Sequence, residues 1–287
     1  MQNPIVRLAT PRRPSVTSSP TKARRALVTA LLGAALWLGP AARSHAEIRE
    51  STKMAEVLKE VDEGTLFITD LDNTVVETPQ MLGSDQSYDY VVRDLQKKGD
   101  SREVAIDKAL ETWVSVQHVT RVQAVEADIP SLFKGLQERG VTVLALTARP
   151  LTIVATTERQ MKDLGIDFAR RPVRCKTRFF RAPRPALYER GILYSDRNNK
   201  GHVLTRFLRL CRLRPRKIVF VDDKVRNVTN VHRELNARWP KVRHVEFRYG
   251  AADARVKALD PKVLGVELEH FRKLLSDDEA RGLLEKR

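Results

Sequence analysis

The sequence predicts an α/β fold, and three observations carry that expectation. Leu66-Phe67-Ile68, Val141 to Leu146 and Lys217 to Val221 are short, nearly continuous apolar runs, the composition of strands buried on both faces of a parallel sheet. Segments with apolar residues at helical spacing separate them. Each run stops at polar residues: Asp70 and Asp72, Thr147, and Asp222 with Asp223. In open α/β sheets ligands bind just beyond the carboxyl ends of strands, so these positions are the candidate site.

The chain has 287 residues, 42% hydrophobic and 31% charged, which places it among globular and not disordered proteins. Its net charge is +16. Arg7, Arg12, Arg13, Lys22, Arg24, Arg25 and Arg43 fall in residues 1–46, where there is no acid. An uncharged run from Ala26 to Gly39 follows this basic start, then Pro40 and Ser44-His45-Ala46. A basic region, an apolar region and small residues in that order read as a signal peptide over 1–46, cleaved after Ala46. The apolar run is short for a membrane span. The expected location is therefore periplasmic or secreted, with no stable membrane span once the leader is removed. Cys175 and Cys211 are the only cysteines, too few for a disulfide scaffold. Cys211 extends an apolar helical stripe, so packing is expected of it and an essential disulfide is not.

Residues 47–287 are read as one domain. Met54, Val57, Leu58 and Val61 predict a short helix before the first strand. Thr65 to Thr78, TLFITDLDNTVVET, then delivers Asp70 and Asp72. Residues i and i+2 of an extended chain point the same way, so both carboxylates are aimed at one spot. Two such carboxylates repel unless a cation or a proton lies between them, and Mg2+ is the natural hard partner. A turn capping the next segment is the plainer reading of Asp-Leu-Asp-Asn.

Residues 81–121 are read as an inserted helical cap. Tyr88, Val91, Val92 and Leu95 form one stripe, and Ile106, Ala109, Leu110 and Trp113 another, with Asp100 and Glu103 as a capping box. Such an insert can close over a site and exclude water. His118 at its end is a surface or packing histidine before it is a substrate contact. Residues 129–140 and the stretch after Pro150 are helical. Arg170 to Arg190 is strongly basic and reads as a solvated loop, with a track for an anionic partner as the alternative. Ile192 to Tyr194 is a short strand. Lys200 opens a helix, where a lysine is favourable if an anion binds the free amides. Val245 to Phe247 is a last strand before a helical C-terminal segment.

Four of these stretches, in order, resemble the motifs of the haloacid dehalogenase superfamily: FITDLDNT, LALTAR, the lysine of NKG, and VFVDD. The resemblance spans about residues 60–230. It is greatest to a little-characterised group of exported bacterial proteins of that superfamily, and more distant to its secreted acid phosphatases. It implies a Rossmann-like parallel sheet between helices with an inserted cap. It also implies roles: Asp70 as nucleophile, Asp72 as proton donor and then base, Thr147 as donor to the phosphoryl group, and Lys200 as its counter-charge. Asp70, Asp72 (through its main-chain carbonyl), Asp222 and Asp223 become the candidate Mg2+ ligands. The function implied is Mg-dependent hydrolysis of a small phosphomonoester through an aspartyl phosphate. A non-catalytic exported binding module is one alternative. A phosphatase acting on nucleic-acid ends, suggested only by the basic charge, is another.

Overall fold

Alternation along the strand that carries Asp70 builds the molecule. Phe67 faces one apolar core, while Leu66 and Ile68 face a second. A strand buried on both sides must lie between two layers of helix. The computed structural model describes residues 47–272 and residue 281.

In chain order the elements are β1 (Glu47–Ser51), α1 (Met54–Val57), β2 (Thr65–Thr69), β3 (Val76–Glu77), α2 (Asp85–Lys97), α3 (Arg102–Val119), β4 (Gln123–Ala124), α4 (Ile129–Glu138), β5 (Thr142–Thr147) and α5 (Val154–Asp163). They continue with β6 (Arg178–Arg181), β7 (Pro185–Glu189), β8 (Ile192–Tyr194), α6 (Lys200–Leu210), β9 (Lys217–Asp222), α7 (Val225–Arg238), β10 (Arg243–Tyr249), α8 (Asp253–Lys257) and α9 (Pro261–Arg272).

The main sheet runs β1-β10-β9-β2-β5-β8-β7-β6. From β1 to β8 every neighbouring pair is parallel, and β8, β7 and β6 then pair antiparallel. The chain fills one side of β2 with β5 and β8, then crosses to place β9 on the other side. The strand order therefore reverses between β2 and β9, where open α/β sheets hold their ligands. Helices α1, α4 and α5 cover one face through Met54, Phe133, Leu136 and Met161. The other face lies under α6 and α7, through Val203, Phe207, Val228 and Leu235. The expected α/β class, a largely parallel sheet between helices, is the observed one.

Several local expectations are corrected. Glu47–Ser51 is an edge strand, and the helix after it is only one turn long. The basic stretch is not simply a loop: β6 and β7 form a hairpin within it, burying Phe180, Ala186 and Tyr188. The cap of α3 is Ser101, whose Oγ accepts from the amide of Val104. Cys175 and Cys211 form a disulfide, with Cα atoms 5.5 Å apart. Chain topology makes that pair: Cys211 caps the C-terminus of α6 and Cys175 lies in the irregular segment between α5 and β6, a meeting that spacing alone does not disclose. The leader and its cleavage point lie outside the described residues. No helix among the described residues is long and apolar enough to cross a membrane.

Candidate active site

The site grows from the carboxyl ends of β2 and β9. Asp70 leaves β2 with its amide donating to Val221 of β9 at 2.9 Å, which fixes its backbone beside Asp222. Asn73 turns the chain at φ 57°, a conformation asparagine tolerates better than most residues. Lys200 reaches the same point from the first turn of α6, whose N-cap Asn199 accepts from the amide of His202. Gly201 makes this approach feasible, because a Cβ there would collide with the main-chain carbonyl of Asn230 on α7.

The Lys200 ammonium lies 2.5 Å from Asp70 Oδ1 and 2.7 Å from Asp222 Oδ2. Lys200 and Asp222 are buried, and Asp70 nearly so. Burial works against the charge on Lys200, but Asp222 and Asp70 outweigh it and hold the ammonium protonated far above the lysine range. Burial, and next the neighbouring Asp222, push Asp70 up, and Lys200 only partly offsets them. Asp222 is fully bonded: besides Lys200 it accepts from the Lys224 amide at 2.9 Å and from Asn227. Asp223 differs. Its Oδ2 has a long contact with Asn73 at 3.4 Å, while its buried Oδ1 has no hydrogen-bond partner.

Asp70, Asp222 and Asp223 each offer a carboxylate oxygen, all within 4.8 Å of one another. Burial and mutual repulsion push Asp70 and Asp223 up, an excess of acid over the one ammonium, and one oxygen lacks any donor. An all-oxygen set with that excess fits a hard divalent cation. The side chain of Asp72 does not join this cluster. Both of its oxygens accept from the buried guanidinium of Arg149, at 2.8 and 2.9 Å. Arg149 also donates to Gln160 at 2.6 Å and Thr157 at 3.1 Å, and lies over the Trp113 ring at 5.7 Å. Thr147 is fully buried at the end of β5, its Oγ1 accepting from the Arg149 amide at 3.1 Å. A hydroxyl that accepts can still donate its own proton.

A cavity of about 670 Å³ opens above these groups. Asp70, Asp72, Arg149 and Lys200 form its floor, and α2 and α3 supply a wall that includes Tyr88, Leu110 and Trp113. Lys224 ties that wall to β9 by a 2.8 Å ion pair with Asp85. Burial opposes ionisation of Asp85, but Lys224 outweighs it and keeps this carboxyl below its ordinary range. His118 is not part of the site; it is exposed, with Nδ1 2.7 Å from the Thr156 hydroxyl.

The sequence reading gave no role to Arg149, Asn227, Asp85 or Lys224. The signal for Arg149 was present, as a charged residue two positions beyond the end of an apolar strand. Asp85 and Lys224 meet only because the insert folds back over β9.

A Chlamydia pneumoniae protein named "Putative outer membrane protein" is 28% identical over 245 residues, covering 84% of this chain and 90% of its own. Among solved structures, a haloacid dehalogenase-like hydrolase of Streptococcus pneumoniae aligns with TM-score 0.38 and 14% identity, over 68% of this chain and 98% of that one. A class C acid phosphatase of Bacillus anthracis, with tungstate bound, aligns with TM-score 0.32 and 13% identity, over 78% and 85%. Residues 47–281 match a family model, and the chain belongs to that family, described as "Protein of unknown function (DUF2608)".

Proposed function

We propose that this chain is an exported phosphohydrolase of the haloacid dehalogenase type, cleaving a phosphomonoester through a phosphate carried on Asp70. One observation carries the reading: Lys200 is held between Asp70 and Asp222 at the reversal point of the sheet, on the floor of a substrate-sized cavity. Carboxylate nucleophiles that form acyl phosphates need this combination of a directed oxygen and a fixed positive charge.

Asp70 attacks phosphorus, and the bond from phosphorus to the ester oxygen breaks. The departing oxygen takes a proton from Asp72. Asp72, then ionised, takes a proton from water, whose oxygen attacks the same phosphorus and releases phosphate with the Asp70 carboxylate restored. The Arg149 fork fixes both oxygens of Asp72 in place beside the cavity. To donate one, Asp72 must carry a proton on an oxygen that Arg149 otherwise occupies. Thr147 and Lys200 stabilise charge on the phosphoryl oxygens. Asp70, Asp222 and Asp223 would hold Mg2+, with the Asp72 carbonyl as a further donor. The ion would neutralise phosphate charge so that an anionic nucleophile can approach. The export reading is supported by the Cys175–Cys211 bond, since disulfides persist mainly in oxidising compartments.

The test is magnesium-dependent hydrolysis of a generic phosphomonoester by the purified protein, wild type against Asp70→Asn. Turnover lost in the variant with the fold retained, and phosphate found on Asp70 alone in the wild type, is the expected result. An Asp70→Asn protein as fast as wild type would show that the chemistry lies elsewhere. Inactivity of both proteins, with magnesium present, would favour the binding-module alternative.

A further inference from the structure

A second polar cluster lies away from the cavity, beneath α7. His244 and Glu246 alternate along β10 and so share one face of the sheet. That face packs against α7, and there His232 meets them. His232 Nδ1 and His244 Nδ1 each lie 2.6 Å from a different oxygen of Glu246. The two rings stand edge to face, with centroids 5.5 Å apart. His244 and Glu246 are fully buried, and the His232 side chain is 25% exposed.

As a purely structural cluster this is an expensive arrangement. The neighbouring positions on β9, Ile218 and Phe220, are paired in register with His244 and Glu246 and are apolar core residues. Apolar side chains on β10 would continue that core without the cost of desolvating a carboxylate. No lysine or arginine pairs with Glu246 among the described residues, and the buried Nε2 of His244 has no hydrogen-bond partner. A partly satisfied buried network is worse for stability than an apolar one.

We propose that His232, His244 and Glu246 form a binding site for a zinc-type divalent transition-metal ion. Their donor atoms all lie within 4.8 Å of one another. Two imidazoles and one carboxylate, with a partly exposed ligand on one side, are a donor set that zinc accepts with a position left for water. Imidazole nitrogen prefers zinc, nickel or copper, whereas the carboxylates at Asp70, Asp222 and Asp223 prefer magnesium or manganese. The chain would then carry two sites of different metal preference, one at the carboxyl ends of β2 and β9 and one on β10 beneath α7.

The test titrates the full chain with Zn2+ by calorimetry in excess Mg2+, and with Co2+ by visible absorption. One equivalent of Zn2+ should bind, and Co2+ should give the absorption of a nitrogen-ligated site. His232→Ala, at a partly exposed helix position, should weaken Zn2+ by roughly tenfold or more, about 1.4 kcal/mol, without loss of helix content. Asp223→Asn should leave this equivalent intact, which separates the proposal from the fate of the phosphohydrolase reading. No stoichiometric Zn2+ in the presence of Mg2+, or an unchanged affinity in His232→Ala, would overturn it.

Discussion

Arg149 is the residue whose replacement tests most of the site at once. Its guanidinium, 1% exposed, makes four hydrogen bonds, two of them the fork to Asp72, and stacks over Trp113. Arg149→Met preserves apolar length but deletes all of these. Breaking a buried pair costs about 3–5 kcal/mol. Asp72 is 18% exposed and regains some water, so about 2–4 kcal/mol is the expected loss. For a domain of this size that is a fall in melting temperature of roughly 4–16 °C. Arg149→Lys retains charge but not the fork, and should lose less stability. Function should respond differently from stability. With Asp72 free to turn, kcat should fall for substrates with poor leaving groups and much less for those with good ones, which need no proton. Thermal unfolding and a leaving-group series on both variants supply the readouts. If Arg149→Met melts like the wild type, or slows all leaving groups equally, the assignment of Arg149 as the residue positioning Asp72 is wrong.

Two further outcomes follow from geometry away from the chemistry. The Cys175–Cys211 bond closes a segment of 36 residues containing β6, β7, β8 and Lys200, and loop-closure entropy for that length is about 4 kcal/mol. Reduction should lower the urea midpoint markedly, and an unchanged midpoint would mean the bond constrains nothing in the unfolded chain. Glu60 is held at a pKa of about 2, first by Lys217 and then by Arg49. A depressed carboxyl stabilises the fold above its unfolded pKa and ceases to do so as pH falls through its folded value. The side chain is 24% exposed, so screening reduces the effect to about 1–2 kcal/mol. Wild type should exceed Glu60→Gln by that amount at pH 6, and the difference should vanish between pH 4.5 and pH 2; a constant difference would contradict the pairing.

The interior was legible because burial on both faces leaves a simple record. β2, β5, β8 and β9 are apolar runs, and Asp70, Asp72, Thr147, Asp222 and Asp223 are the candidate positions that asking where a run stops picks out. Edge elements leave no such record. β1, EIRES, is solvent-exposed over most of its length and pairs only with β10, so its polar composition hid a strand. β6 and β7 sit among arginines and prolines, and only Phe180, Ala186, Leu187 and Tyr188 mark their inner faces. Helix α7 was passed over because its apolar residues, Val228, Val231 and Leu235, are sparse. Asp72 was found, but its partner was not. A carboxylate in a sequence does not say which guanidinium the fold will bring to it.

The insert raises a further physical question, since the periodicity of α2 and α3 predicted a mobile lid. Its attachments bear on how it could move. Asn73, in the turn after Asp70, donates to Gln86, and Lys224, directly after the two aspartates, pairs with Asp85. At the far end, buried Gln117 accepts from Gln160, and Trp113 covers Arg149. Leu82 and Val116 also bury apolar surface against Leu264 of α9, and Glu267 accepts from the amides of Met81 and Leu82. Lifting the insert as a rigid flap would break both polar ties to the loops after β2 and β9 and uncover Arg149. A smaller hinge that leaves the α9 contacts in place and opens only the Lys224 edge breaks its partly exposed pairs with Asp85 and Asp89 and the neighbouring Asn73–Gln86 bond, a smaller cost than lifting the whole insert. The cheaper motion widens the cavity beside Tyr88 and Asp89, while the Trp113–Arg149–Asp72 side stays fixed. Under the proposed mechanism, entry at that edge would leave Asp72 held on Arg149 throughout the cycle.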